Sequence, residues 1–302
     1  MVNSVPIVVA ASSTALPILA RWIFPSGKVI QLQVSAPALS VRLRVSYSMP
    51  TPKISASERL IVALDLPGIA DARRMVQELE GVVDFFKIGL TLQLAAGVEA
   101  FIRSLISEKK RVFLDYKYYD VPETLRKAVF RASDLGVSFL TIHGPSALIR
   151  AAVEGRGNRE LKLFCVTVLT SMDGDDMAEM GYTHHTVEQL VLFRARKALE
   201  AGCDGVIASG LEVGKIKELS RNALLVVTPG IRDEDSPKDD QKRRTTARSA
   251  ILSGADYLVI GRPITENSNP RAEAERLLRS MAAAFEEREA GIAWNGSIAR
   301  RL

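Results

Sequence analysis

Cysteine and histidine are both scarce in this chain, which has two cysteines and three histidines among 302 residues. Cys165 and Cys203 lie in apolar stretches and form no CxxC pair, which argues against a disulfide framework or a cysteine-rich zinc module. They are typical of unreactive core thiols in a reducing compartment, so we expect a cytoplasmic location. The pair His184–His185 has no third ligand nearby in the sequence, and we expect no metal there.

Acidic residues are absent from the first 57 positions, because Glu58 is the first Asp or Glu of the chain. This segment is rich in Ser, Val and Ala, is interrupted by Pro, and has no apolar run long enough to span a membrane. We therefore expect residues 1–55 to form a largely disordered N-terminal extension. Two origins stay open: an organellar transit peptide, although Arg is sparse at its start, or a translated upstream region with Met49 as the functional start.

The excess of basic residues is small, with a formal net charge of +5. Much of it lies in the N-terminal segment and in scattered Arg and Lys of the amphipathic stretches. No compact basic stripe with interleaved aromatic residues is present in the sequence. We therefore expect neither a nucleic acid nor a membrane as partner.

From Leu60 onward, short apolar runs alternate with amphipathic stretches of helical period. The apolar runs are Leu60–Leu64, Phe85–Ile88, Val112–Leu114, Val137–Ile142, Leu163–Leu169, Gly205–Ala208, Leu224–Val227 and Tyr257–Ile260. Eight such strands alternating with helices predict an α/β fold, a single (β/α)8 TIM barrel over residues 56–290 followed by a tail at 291–302. The alternative, an open doubly wound sheet, lacks its GxGxxG turn after the first strand.

The segment Phe113–Thr124, FLDYKYYDVPET, carries three charges at the end of an apolar run. Residues two apart on a strand share a face, so Asp115 and Lys117 are predicted to lie side by side. Pro122 favours the start of a helix, which leaves Asp120 in the intervening turn. Because burying charges without a purpose is costly, this pattern indicates chemistry.

Other predicted strands also end in polar residues, and the active site of such a barrel lies at the carboxyl ends of its strands. Those after strands one, two, four and five are Asp65, Lys87, His143, Thr170 and Ser171. The loops after strands seven and eight commonly bind phosphate, and here they contain Gly230, Arg232, Gly261 and Arg262. Glycine lets the backbone approach an anion and arginine supplies forked donors, so we expect a small phosphate ester as substrate.

Several of these residues also have a purely structural interpretation. Asp120 and Glu123 have the spacing of a helix-capping pair, and Asp65 could cap the first helix. Lys87 and Asp115 could form an ion pair at the barrel rim, although its desolvation cost disfavours a purely stabilising role.

Three further polar segments favour structural roles. His143 is better explained by packing than by acid–base chemistry. The segment Asp173–Asp176 lacks the full spacing of a calcium loop and predicts a solvated loop. The run Arg232–Arg244 predicts a mobile surface loop, which over a phosphate would act as a lid.

Taken together, these segments resemble the orotidine 5'-phosphate decarboxylase family. The resemblance spans roughly Arg59 to Met281 and is carried by IVALDLP, FFKIGL, FLDYKYYDVPET, VTVLTSM, VVTPGIR, DDQKR and VIGRPIT. It implies a homodimeric (β/α)8 barrel that uses no metal or organic cofactor. It also implies decarboxylation of orotidine 5'-monophosphate to uridine 5'-monophosphate in pyrimidine biosynthesis. The first 48 residues have no counterpart in it.

The resemblance further implies a role for each matched residue. Lys117 is the catalytic lysine, in a charged network with Lys87, Asp115 and Asp120, and Asp120 reaches the active site of the partner subunit. The implied substrate contacts are Asp65 and Lys87 for the ribose, Thr124 and Thr170 for the nucleotide, Ser171 for the pyrimidine, and Arg232, Gln241, Gly261 and Arg262 for the phosphate.

Two other functions compete with this one. A related sugar-phosphate decarboxylase or aldolase shares the DxKxxD motif but uses Mg²⁺ and carries Glu where this chain has Lys87. A catalytically silent phosphate-binding barrel predicts the loss of at least one charge among Lys87, Asp115, Lys117 and Asp120. All four are present.

Overall fold

Eight parallel strands close into a barrel in the structure, which is a computed structural model that describes residues 18–23, 29–34, 55–235 and 239–298. Each strand pairs with its sequence neighbour, and the last pairs with the first. The predicted (β/α)8 barrel is therefore confirmed. We number its strands β1 (Leu60–Ala63), β2 (Phe85–Gly89), β3 (Arg111–Tyr118), β4 (Phe139–Ile142), β5 (Lys162–Val166), β6 (Gly205–Ile207), β7 (Leu225–Thr228) and β8 (Tyr257–Ile260).

Helices cover the outside of this barrel and follow the predicted alternation. They are α1 (Ile69–Glu78), α2 (Leu90–Gln93), α3 (Val98–Ser107), α4 (Pro122–Asp134), α5 (Ser146–Arg156), α6 (Gly174–Glu179), α7 (Val187–Glu200), α8 (Val213–Ser220), α9 (Ala247–Leu252), α10 (Arg262–Thr265) and α11 (Pro270–Ile298). The last helix continues through position 290, so part of the predicted tail is helical. The segment Asp173–Asp176, predicted as a solvated loop, instead begins α6 with a capping box.

Aromatic side chains fill the interior of the barrel. They are Phe85, Phe113, Phe139, Phe164 and Tyr257, and each is at most 4% exposed. Fully burying a side chain of this size contributes about 1.5–3 kcal/mol. A second, larger core lies between the strands and the helices. The filled interior forces any ligand site toward a strand end.

Arg111 covers this aromatic layer at the amino end of β3. Its guanidinium carbon lies 4.1 Å from the ring centroid of Phe85, and it also faces Phe139 and Tyr257. Cations favour the negative faces of aromatic rings. Arg111 thereby stabilises the end of the barrel opposite the carboxyl ends of the strands.

Gly205 gives the aromatic layer the room it needs. A Cβ at this position would lie 2.3 Å from the carbonyl oxygen of Leu225 and 2.6 Å from the Phe164 ring. Both distances are shorter than van der Waals contact permits. The absence of a side chain at the start of β6 therefore lets Phe164 fill the interior.

Two stretches of the N-terminal segment are strands, Ile18–Ile23 and Val29–Val34, and they pair antiparallel. The sequence analysis predicted no strands there. The rest of the expected extension lies outside the described residues, so its disorder stays a prediction. Among the described residues, no helix is both long and apolar enough to cross a bilayer.

Both cysteines are buried in the barrel unit. Burial raises the pKa of Cys165 to about 12, and it raises the pKa of Cys203 as well. A thiol that stays protonated is a poor nucleophile and a poor metal ligand. The environments agree with the expectation of unreactive core thiols.

Candidate active site

A cavity of about 480 Å³ opens at the carboxyl ends of the barrel strands. Its position is the one expected for the active site of this fold. The predicted site residues that line it are Asp65, Lys87, Asp115, Lys117, Thr170, Ser171, Arg232, Gln241, Gly261 and Arg262. Asp120 and Thr124 do not line it.

Charges of alternating sign form a row across the ends of β1, β2 and β3. Lys87 Nζ lies 3.0 Å from Asp65 Oδ1 and 3.5 Å from Asp115 Oδ2. Lys117 Nζ lies 3.0 Å from Asp115 Oδ1. The Lys87 side chain is 8% exposed and that of Asp115 is 17% exposed, so these charges interact in a medium of lower dielectric than water.

The Asp115 carboxylate is held in its ionised form. Burial by itself raises the pKa of Asp115, but the ammonium groups of Lys87 and Lys117 and the hydrogen bonds from Lys117 and Thr141 lower it by more. Its pKa therefore lies below the usual value for aspartate. A carboxylate fixed in this way attracts both ammonium groups and holds them at the charged row.

Thr141, which the sequence analysis did not select, connects the two catalytic candidates of β3. Its hydroxyl donates to Asp115 Oδ1 at 3.0 Å and accepts from the backbone N–H of Lys117 at 2.9 Å. Thr141 lies on β4 and is completely buried. A polar residue two positions before His143 in an otherwise apolar run was the available signal in the sequence.

The backbone of Lys117 departs from regular strand geometry. Its φ is +48°, in the left-handed region, which costs a non-glycine residue about 1–2 kcal/mol. The register between β3 and β4 shifts between Leu114 and Tyr118. The predicted regular strand is therefore wrong in this detail, although Asp115 and Lys117 do lie side by side.

Gly89 leaves space for the charged row. A Cβ there would lie 2.7 Å from Asp65 Oδ1 and 2.8 Å from Lys87 Nζ. Both distances are too short for a carbon atom against these groups. A hydrogen at this position lets the Asp65–Lys87 ion pair form beside the end of β2.

Asp120 and Thr124 are exposed and do not line the cavity. Asp120 Oδ1 accepts a hydrogen bond from the backbone of Val121, and α4 begins at Pro122 without a side-chain cap. Glu123 instead pairs with Arg126. The alternative of an Asp120–Glu123 capping pair is therefore wrong, as is the alternative of Asp65 as cap of α1, whose N-cap is Gly68.

Two arginines, Arg232 and Arg262, line the cavity from the segments that follow β7 and β8. Arg232 binds Asp239 Oδ2 through Nε at 2.9 Å and Nη2 at 2.7 Å. Arg262 pairs with Asp239 at 3.2 Å and more closely with Asp240. The hydrogen bond from Arg262 lowers the pKa of Asp240. The described structure thus has carboxylates on both candidate phosphate-binding guanidinium groups.

Gln241 connects the loop after β7 with the loop after β5. Thr170 Oγ1 donates to Gln241 Oε1 at 2.5 Å. Gly230 has a φ of +74°, and a Cβ there would lie 3.2 Å from Gln241 Oε1. The two candidate substrate contacts Thr170 and Gln241 are therefore in direct contact with each other.

His143 borders a second, smaller cavity of about 120 Å³, which Lys117 also lines. Burial lowers the pKa of His143 below its usual value, and its ring packs edge-on against Tyr119. These contacts agree with the packing role expected for it. His184 and His185 are exposed, and the described part of the chain contains no cluster of three or more His, Cys, Asp or Glu side chains suited to a metal ion.

A family model described as "Orotidine 5'-phosphate decarboxylase / HUMPS family" matches residues 58–277. This chain belongs to that family. The match begins two residues before β1 and ends within α11, so it covers the whole barrel and every predicted site residue. The family resemblance inferred from the motifs is confirmed.

Individual relatives extend over nearly the same region. A protein of Nitrobacter winogradskyi named orotidine 5'-phosphate decarboxylase is 52% identical over 230 residues, which are 76% of this chain and 95% of that protein. One of Methylococcus capsulatus with the same name is 45% identical, over 74% of this chain and 91% of the relative. A crystal structure of orotidine 5'-phosphate decarboxylase from Lactobacillus acidophilus superposes with a TM-score of 0.65 at 33% identity, covering 74% of this chain and 98% of that one.

The orotidine 5'-phosphate decarboxylase / HUMPS family match leaves residues 1–57 outside. The four charges Asp65, Lys87, Asp115 and Lys117, by contrast, lie inside it and meet at one cavity. The site is therefore built entirely within the part of the chain that the family shares.

Proposed function

We propose that this chain decarboxylates orotidine 5'-monophosphate to uridine 5'-monophosphate, a step of pyrimidine biosynthesis, with Lys117 as the proton donor. The observation that carries the proposal is the 3.0 Å contact between Lys117 Nζ and Asp115 Oδ1 in the cavity at the carboxyl ends of the barrel strands. The names of the relatives support the same substrate and reaction.

The reaction explains why an ammonium group is needed. The bond between C6 of the pyrimidine and its carboxylate breaks, CO2 leaves, and the electron pair stays on C6. A cation already fixed beside that carbon stabilises the developing negative charge without reorganisation. Lys117 then donates a proton to form the C6–H bond and regains a proton from solvent afterwards.

Asp115 has two effects in this scheme. It holds the Lys117 ammonium in place through the 3.0 Å contact. It would also face the substrate carboxylate, and at about 4 Å and an effective dielectric near 20 that repulsion is roughly 4 kcal/mol. Binding of the distant phosphate offsets the unfavourable contact. The preorganised lysine is the main source of the rate enhancement in this proposal.

The remaining cavity residues are assigned to different parts of the nucleotide. Asp65 and Lys87 hold the ribose, because Asp65 follows β1, Lys87 lies on β2, and Lys87 contacts both Asp65 and Asp115. Thr170 and Ser171 contact the pyrimidine and the nucleotide from the loop after β5.

The phosphate end is formed by the loops after β7 and β8. Its groups are Arg232, Gln241, Gly261 and Arg262. The guanidinium groups bind carboxylates of Asp239 and Asp240, which supports the proposal that they bind an anion. A bound phosphate would take over these donors.

The active unit in this proposal is a homodimer in which Asp120 and Thr124 contribute to the partner's site. Asp120 is exposed and does not line the cavity of its own subunit. Large apolar side chains in the segments that follow β2 and β3 are also exposed, among them Tyr119 at 65%, Val121 at 63% and Leu94 at 94%. Exposed apolar side chains near Asp120 in the sequence support the proposal of an interface there.

A direct assay tests the proposed function. The full chain and a truncated chain starting at Met49 are incubated with orotidine 5'-monophosphate, and its loss is followed by ultraviolet absorbance while the product is identified as uridine 5'-monophosphate. We expect both chains to be active. Absence of turnover by both, with the barrel folded, would overturn the proposal.

A further inference from the structure

Arg243 is a buried arginine that no step of the proposed reaction uses. Its side chain is 9% exposed and pairs with Glu212, whose side chain is 6% exposed, at 2.8 Å. Glu212 is the N-cap residue of α8. The pair therefore connects the segment that follows Gln241 to a helix of the barrel wall.

Arg243 also binds three successive carbonyl groups of the loop after β5. Nη2 donates to the carbonyl oxygens of Val168 at 2.9 Å and Leu169 at 3.1 Å. The backbone N–H of Arg243 donates to the carbonyl oxygen of Thr170 at 3.0 Å. One residue thus fixes the backbone of the loop that carries the proposed pyrimidine contacts.

The same residue is tied to the phosphate end. Its carbonyl oxygen accepts from Ser209 Oγ at 3.2 Å, and two residues before it Gln241 contacts Thr170. Two residues after it, the backbone of Thr245 pairs with Gly230 and Arg232. The segment 241–245 therefore contacts both the loop after β5 and the loop after β7.

Stability alone does not explain this pair. Burying two charges has a desolvation cost that a hydrophobic pair of similar size avoids. Within the described residues, Arg243 Nε and Glu212 Oε2 are buried without a hydrogen-bond partner, which adds to that cost. The charged pair instead holds two loops and one helix in a fixed position relative to each other.

We propose that Arg243 and Glu212 are positioning residues that couple phosphate binding at one end of the cavity to the placement of the loop after β5 at the other. This proposal rests on the proposed function above. Phosphate bound by Arg232 and Gln241 restrains segment 241–245. Arg243 then restrains the loop after β5 through its hydrogen bonds to the carbonyl groups of residues 168–170. Binding energy of a remote group is then used at the reacting centre.

The test compares a substrate with phosphate to one without it. Glu212→Gln and Arg243→Lys are each assayed as the full chain with orotidine 5'-monophosphate and with orotidine, and folding is checked by thermal melting. We expect kcat/KM for the phosphorylated substrate to fall about tenfold, as for coupled members of one hydrogen-bond network. The value for orotidine should change by no more than about twofold.

A matched control separates coupling from loss of stability. Asp256→Asn makes the same carboxylate-to-amide change in the partly buried Lys217–Asp256 pair, which lies just before β8 at the opposite end of the barrel. This variant should change kcat/KM for both substrates by the same factor. Equal losses on both substrates in Glu212→Gln and Arg243→Lys would overturn the coupling role, whereas a wild-type chain inactive on both substrates would overturn the proposed function itself.

Discussion

Lys117 Nζ and Asp115 Oδ1 lie 3.0 Å apart on side chains that a single residue separates along β3. Thr141 binds the carboxylate of one and the backbone of the other. The lysine is therefore restrained at both its amine and its main chain. A cation fixed in this way loses little entropy when charge develops beside it.

Replacing the lysine should separate binding from chemistry. Lys117→Ala removes both the stabilising cation and the proton donor, so kcat for orotidine 5'-monophosphate should fall by at least about a thousandfold. Binding of uridine 5'-monophosphate, measured by calorimetry, should stay detectable because the phosphate end is unchanged. Lys197→Ala, in an exposed ion pair with Glu200, is the control and should retain full activity. Substantial turnover by Lys117→Ala would contradict the proposed role.

Mixed dimers test whether Asp120 acts across an interface. Lys117→Ala and Asp120→Ala should each be nearly inactive alone. When equal amounts are mixed and allowed to exchange subunits, half of the dimers each regain one intact site, so about a quarter of wild-type activity should return. Activity is measured before and after exchange. If Asp120 serves its own subunit's site, mixing will restore nothing.

Freeing Arg262 should strengthen phosphate binding. Asp240→Asn removes the closer of the two carboxylates that pair with Arg262, so uridine 5'-monophosphate should bind about two- to fivefold more tightly, as expected for an exposed ion pair. Uridine, which lacks the phosphate, should bind as before. Glu266→Gln removes a charge from the same cavity lining and is the matched control. An equal gain in both variants would point to net charge rather than to release of Arg262.

Acid should reduce the stabilising contribution of Asp115. The pKa of Asp115 in the folded chain is lowered. Its contribution to the free energy of unfolding is therefore fully present above the ordinary aspartate pKa, about 4. That contribution is lost as the pH falls from there through the pKa of the folded chain. The difference in unfolding free energy between wild type and Asp115→Asn should therefore shrink below about pH 4. Urea unfolding at several pH values measures it, with Asp175→Asn at an exposed position as control. A difference that is constant with pH would contradict this assignment.

Chelation of divalent metals should leave decarboxylation unchanged. The cavity carboxylates Asp65 and Asp115 are already paired with Lys87 and Lys117, and a cation would have to displace those ammonium groups. Activity is measured before and after EDTA treatment and again with added Mg²⁺, beside a magnesium-dependent enzyme that verifies removal. Loss of activity that Mg²⁺ restores would favour the metal-dependent members of the barrel superfamily.

The sequence predicted the barrel because its strands are almost continuously apolar and its helices are periodic. It also predicted most cavity residues, since Asp65, Lys87 and Asp115 end such strands and parallel strands bring their ends together. Thr141 was missed because its one signal, a hydroxyl in an otherwise apolar strand, does not identify Asp115 and Lys117 as its partners. The left-handed backbone of Lys117 depends on the shifted pairing of β3 with β4, which a single strand's sequence does not encode.

Arg243 was missed for a different reason. In sequence it belongs to a charged run, and a charged run predicts a solvated surface. Its burial results from Glu212 and the carbonyl groups of residues 168–170, which lie 31 to 75 positions away. Only the folded chain brings these groups together.

Gly89 shows that a position with no functional group can still decide where neighbouring charged side chains lie. Its contribution is the volume that a missing methyl leaves between Asp65 and Lys87. A search for active-site positions that considers only acids, bases and nucleophiles would pass over it. Redesign of this barrel for another substrate would nevertheless have to keep that position empty, or move the charges beside it.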